Sequence, residues 1–130
     1  MTGSAITIGR RVQWIDTDAA GIWHHSVVIR WAEEAEAELH RDLGIIDQTF
    51  GVTPRVSTEF RFYEPVRFDD EVEIALSVAE VGTTSVTYDI EVSSGDRAVA
   101  TGRMVAVLID GDTGEKRPWS EELRRALEGS

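Results

Sequence analysis

The chain has 130 residues, enough for one ordinary domain with a real core and too few for two, so a single domain over 1–130 is expected. Its 13 basic and 24 acidic residues leave a net charge of −11, which opposes general binding to nucleic acid or to an anionic membrane. The absence of cysteine removes disulfides, thiolate zinc sites and cysteine nucleophiles together, and with neither a leader-type N-terminus nor a long apolar run, a soluble cytoplasmic protein is expected.

From Ile6 to Ile15 apolar and polar residues alternate, with Ile6, Ile8, Val12 and Trp14 on one side, the pattern of a strand with one buried face. Ser26 stands where an N-cap would, and Val28, Trp31, Ala32, Ala35, Leu39 and Leu43 then recur at three- and four-residue steps. This spacing predicts an amphipathic helix of roughly five turns, stopped by Gly44. Beyond Thr53 the period changes to two. Val56, Thr58, Phe60 and Phe62 share one face before Pro65, and Val72 to Val78 and Val86 to Val92 form a hairpin across "VGTTS". Arg97 to Ile109 reads as a central strand, apolar on both faces toward its end, and "SEELRRALEG" as a terminal helix capped by Ser120. The class is α+β, a long central helix packed on a five-stranded antiparallel sheet. One helix leaves much of such a sheet uncovered, which predicts at least a homodimer.

Between the first strand and the helix lies "DTDAAGIWHH", residues 16–25. Asp, Thr and Gly there suit a tight turn, since short polar side chains bond nearby amides and Gly21 tolerates positive φ. Their placement also suits catalysis. Asp16 and Asp18 fall beside the unpaired N–H groups of a helix start, and a carboxylate next to an oxyanion site is a minimal acyl-transfer apparatus. His24 and His25 are adjacent and so diverge, and only His40 remains as a further imidazole, so no metal is expected. They are read as orienting Asp18, contacting substrate or capping the helix. Ser26 lacks the Gly-x-Ser-x-Gly elbow and is read as a cap rather than a nucleophile. Glu34 is read as a solvated helix charge, whereas Glu33 is placed to face a site at a subunit boundary.

"VQWIDTDAAGIWHHSVVIRWAEEAEAEL", "STEFRFYEPVRFDDEVEI" and "ATGRMVAVLIDGDTGEKRP" resemble the hot-dog-fold acyl-CoA thioesterases of the 4-hydroxybenzoyl-CoA thioesterase type, from about Arg10 to Pro118. The resemblance implies a helix wrapped by an antiparallel sheet, assembly as homodimer or homotetramer with sites at subunit boundaries, and hydrolysis of an acyl-CoA thioester to an acid and free CoA without a cofactor. It makes Asp18 the nucleophile or general base and gives the main chain of His25 to the oxyanion hole. Asp16 and Gly21 then shape the turn, and His24, Ser26, Val28 and Glu33 join the substrate contacts.

Two departures stand out. Val27 and Val28 occupy the first helical turn, where many members carry an aromatic residue, which alters the acyl pocket. The turn "EVGTTS" lacks the bases that some members direct at the phosphates of coenzyme A. Arg61, Arg67, Arg103, Lys116 and Arg117 remain as candidates, with Arg61 and Arg67 preferred. An acidic acyl-carrier protein would be repelled by a chain at −11, so coenzyme A is the expected carrier. A carrier-protein thioesterase, a non-catalytic protein binding an acyl thioester or small ligand, and a dehydratase using His25 with Glu33 or Asp18 stand as alternatives.

Overall fold

The computed structural model describes residues 3–23 and 25–130. Strand β1 (Ala5–Arg11) pairs antiparallel with β3 (Glu71–Val81), setting Ile6 opposite Leu76 and Ile8 opposite Ile74. β3 pairs with β4 (Ser85–Ser94), β4 with β5 (Arg97–Val107) and β5 with β2 (Arg55–Phe62), all antiparallel. The sheet order is therefore β1-β3-β4-β5-β2, with β1 and β2 at the edges. Alternation decides which face is covered. Val72, Ile74, Leu76 and Val78 of β3 and Val86, Tyr88, Ile90 and Val92 of β4 are all buried, while Glu71, Glu73 and Glu91 between them are exposed.

Helix α1 (Val27–Asp42) lies on the apolar face and buries the expected stripe of Val28, Trp31, Ala32, Ala35 and Leu39. Gly44 follows with φ 73° and donates its N–H to Arg41, so the chain leaves the helix through the conformation that glycine adopts most easily. Helix α2 (Ile46–Thr49) comes next and was not anticipated, being too short to show a period. Helix α3 (Glu121–Glu128) forms where expected. Ser120 Oγ accepts the Leu123 N–H at 3.2 Å, and Leu123 and Leu127 pack into the core.

Three expectations are corrected. The first strand stops at Arg11, because Val12 exchanges backbone bonds with Asp69 and Asp70, at the margin of β3, and the chain then runs out of ladder. A 3-10 turn (Trp14–Asp16) takes over, leaving Trp14 68% and Ile15 81% exposed although Trp14 continues the apolar alternation. Ser26 is not a cap. Its backbone is already helical (φ −65°, ψ −19°) and its side chain makes no capping bond, because the chain enters α1 through a turn in which Val28 and Ile29 donate to His25 and Ser26. The last strand ends at Val107 instead of Ile109, since Leu108 crosses to Thr84 and Ile109 bridges Lys116. β4 is the central strand, and β5 lies between it and β2.

Candidate active site

The residues from Asp16 to Trp23 are folded by their own short side chains and by the segment before β3. Asp18 donates its N–H to Ile22 at 2.8 Å and accepts at its carbonyl from Gly21 at 3.0 Å, with Gly21 at φ 76°. Thr17 bridges Trp23, Trp23 donates to Val66 and Phe68 donates to Gly21, so the loop is a small hairpin laid on 66–68. Its position is set by main-chain bonds on both sides.

The structure sorts the two carboxylates into different tasks. Asp16 is 3% exposed, and its oxygens accept from the Gln13 N–H at 2.8 Å and from Arg30 Nη2 at 2.6 Å. It is a buried brace between the loop and α1. Asp18 is exposed, and its Oδ1 accepts the Ala20 N–H at 2.8 Å. That bond fixes the carboxylate's orientation while leaving the group at the surface.

The head of α1 differs from that of α3. α3 has a serine cap and two glutamates in its first turn, whereas at α1 Ser26 makes no side-chain capping bond and the first turn holds no acidic residue. The positive end of the α1 dipole is therefore not offset by a first-turn carboxylate. Beside it a cleft of about 150 Å³ is lined by Ile15, Asp16, Ser26, Val27 and Arg30. Aromatic rings flank the same end. The His25 ring meets Phe62 at 6.0 Å between centroids, Phe62 meets Trp23 edge-on at 5.4 Å, and Trp23 stacks on Trp31 at 6.4 Å. Phe62 is 45% exposed.

The other singled-out residues are dispersed. His24 lies outside the described residues. Val28 is fully buried in the core, so it shapes the site only from beneath. Glu33 is half-exposed on α1 and pairs with Arg55 Nη1 at 3.2 Å. Glu34 is not simply solvated, since it accepts from Arg10 Nε at 2.7 Å. Arg67 is held next to the loop by its bridge to Ile22 and has no ion pair among the described residues. Arg61 is not brought to this side. The pleat of β2 sends it to the sheet face away from α1, where it shares a depression with Asp89 and Arg103. Lys116 and Arg117 follow the last strand and belong to the opposite end of the sheet, beside α2.

Residues 12–127 match the family model of the thioesterase-like superfamily. The chain belongs to that superfamily. The 1,4-dihydroxy-2-naphthoyl-CoA hydrolase of Synechococcus elongatus is 26% identical over 125 residues, which covers 92% of each chain. A solved gentisyl-coenzyme A thioesterase superposes with a TM-score of 0.84 at 27% identity, covering 94% of this chain and 99% of that one. A 1,4-dihydroxy-2-naphthoyl-CoA thioesterase from Synechocystis, at 21% identity and a TM-score of 0.84 over 95% of this chain and 96% of that one, confirms the hot-dog fold. This superfamily member is thereby placed among the thioester hydrolases, and the named relatives carry dihydroxynaphthoyl and gentisyl rather than 4-hydroxybenzoyl groups.

The thioesterase-like chain also contains a polar network that sequence reasoning missed. His40, counted above only as a spare imidazole, is buried on α1, with Nδ1 2.6 Å from Thr49 Oγ1 and Nε2 2.8 Å from the Tyr88 hydroxyl. Both ring nitrogens are thus engaged. Glu36, one turn earlier and equally buried, pairs with Arg55, whose other terminal nitrogen reaches Glu33. Burial pushes His40 down to about 4 and raises Glu36, the Arg55 charge opposing the latter shift. Burial also raises Tyr88, with the Glu36 charge adding to it. The network ties β2, β4 and α2 to the middle of α1. Among the described residues no group of three or more metal-ligand side chains is arranged to hold an ion, and no helix is long and apolar enough to cross a membrane.

Proposed function

We propose that the protein hydrolyses the thioester of an aromatic acyl-coenzyme A, with Asp18 as the attacking or water-activating carboxylate. The observation that carries this reading is an oriented, exposed carboxylate in the loop that leads into a helix head where Ser26 makes no side-chain capping bond and the first turn holds no acid. The main-chain N–H groups at that head, His25 among them, receive the thioester oxygen as it gains negative charge. In the general-base route Asp18 removes a proton from water, the oxygen adds to the carbonyl carbon, and the C–S bond breaks to give a carboxylic acid and coenzyme A thiol. In the nucleophilic route Asp18 itself adds, the thiol leaves, and water opens the resulting anhydride.

The aromatic acyl class is supported by His25, Phe62 and Trp23 beside the helix head and by the dihydroxynaphthoyl and gentisyl groups in the relatives' names. Coenzyme A is favoured as the carrier because Arg67, which has no ion pair among the described residues, offers a cation next to the loop, whereas a net charge of −11 opposes an acidic carrier protein. We further propose that the working form is a homodimer at least, in which a second copy covers the open β2 edge, where Val56 and Phe62 are exposed.

Thiol release from benzoyl-, naphthoyl-, butyryl- and decanoyl-CoA, with Asp18→Asn beside the wild type, tests the reading. Asparagine keeps the acceptor for the Ala20 N–H, so the loop should hold while turnover falls by at least about a hundredfold. Undiminished turnover in the variant removes Asp18 from the reaction. Single-turnover hydrolysis in oxygen-18 water separates the routes, since only the anhydride route leaves label in Asp18.

A further inference from the structure

We infer that Phe60, laid across Gly102, ends the row of aromatic rings along which the acyl group lies and sets the size of acyl group accepted. This rests on the reading that the thioester carbonyl lies at the head of α1. Phe60 and Gly102 are direct partners across β2 and β5. A Cβ on Gly102 would lie 2.1 Å from Cδ1 and 2.2 Å from Cε1 of Phe60, so the ring occupies the space that a side chain at 102 would take. The pleat puts this space on the face covered by α1, together with Phe62, whose partner is Ala100. The floor beneath the two phenylalanines is therefore made of a glycine and an alanine.

The rings form a continuous row that begins at the proposed oxyanion site. His25 contacts Phe62 at 6.0 Å, and Phe62 lies nearly parallel to Phe60, with centroids 6.5 Å apart and planes 20-odd degrees apart at 23°. Trp23 closes the side of the row toward the core. An acyl group whose carbonyl is held at the helix head has this row as its apolar path, and Phe60 stands at the end of it. The row suits a flat group stacked on Phe62. Phe60 is only partly buried within the single chain, and its ring fills the glycine slot. Shortening the side chain opens that slot to a longer or wider acyl group.

The test compares kcat/KM for benzoyl-CoA and 2-naphthoyl-CoA in wild type, Phe60→Ala, Phe60→Leu and Phe68→Ala. Phe68 packs edge-on against Trp14, makes no ring contact with His25, Phe62 or Phe60 among the described residues, and serves as the control. The naphthoyl-to-benzoyl ratio should rise about tenfold in Phe60→Ala, less in Phe60→Leu, and stay within twofold in Phe68→Ala. A ratio within twofold of wild type in both Phe60 variants overturns the inference, as does an equal rise in Phe68→Ala. If the alanine variant fails to fold by circular dichroism, Phe60→Leu decides alone. Turnover that survives Asp18→Asn sinks the catalytic reading instead, and the kcat/KM ratio in the Phe60 variants still decides the role of Phe60.

Discussion

Arg30 Nη2 and Asp16 Oδ1 meet at 2.6 Å, joining the loop before α1 to the first turn of that helix across 14 residues of sequence. Because Asp16 is buried and Arg30 is half in solvent, the pair is asymmetric: losing the arginine leaves a buried carboxylate whose remaining partner among the described residues is the Gln13 N–H. Arg30→Met should therefore lower stability by about 2 kcal/mol in urea unfolding, and Asp16→Asn by somewhat less, since the amide keeps one acceptor. Both should also reduce turnover, because the brace fixes the approach to Asp18. A variant with full stability loss and unaltered kcat would show that the brace does not position the catalytic loop.

Arg67 is held by its backbone, through the Ile22 bridge and a 2.9 Å bond from its N–H to Asp70 Oδ2. Removing its side chain leaves those bonds in place. Arg67→Ala should raise KM for a CoA thioester about tenfold with little change in kcat, the signature of a lost phosphate contact, and the penalty should shrink with added salt. Arg61→Ala, on the other face of the sheet, should leave KM unaltered. Equal KM values in wild type and Arg67→Ala would remove Arg67 from the carrier site.

How far the sequence could be read depended on whether a residue's partner was near in the chain. The buried stripe Val28, Trp31, Ala35 and Leu39 and the alternation in β3 and β4 were legible because solvent exposure alone sets those periods. Trp14 and Ile15 defeated the same logic. Trp14 continues the apolar alternation beyond the last ladder bond and Ile15 extends the apolar run, and no rule of period distinguishes an apolar residue facing the core from one facing an open surface. The DTD motif marked the loop but not its division of labour, since only Arg30, brought back by the helix, identifies Asp16 as the brace. Glu36 and His40 looked like ordinary helix polarity because Arg55 and Tyr88, which allow them to be buried, come from β2 and β4.

Gly102 occupies a place where both a side chain and the strand opposite would be in the way. An added Cβ would overlap the Phe60 ring and lie 2.8 Å from the Glu59 carbonyl oxygen. Gly102→Ala should lower stability by about 2 kcal/mol, as overpacking of a filled site does. In a Phe60→Ala background the same change should be roughly half as harmful, since the ring clash disappears and the backbone contact persists. A double-mutant cycle by urea denaturation measures the coupling, and additive effects would mean that the ring does not occupy the glycine slot in solution.

His40 makes stability depend on acid in a direction fixed by its burial. Its folded pKa of about 4 lies below the ordinary value of 6.5, so between those limits the unfolded chain binds more protons than the folded one. Stability contributed by neutral His40 is present above 6.5 and is lost as pH falls toward 4, by about 3 kcal/mol across the window. Glu36 acts oppositely: raised by burial above 4.5, it protonates first in the folded state and gains stability as pH falls through its raised value. His40→Gln separates the two, because the amide can still meet Thr49 and Tyr88 but does not titrate. The stability of wild type relative to His40→Gln, from urea midpoints, should decline steadily from pH 6.5 to 4.5. A constant difference would mean that the imidazole is not the proton-linked group, and the acid sensitivity of the fold would then have to come from the carboxylates.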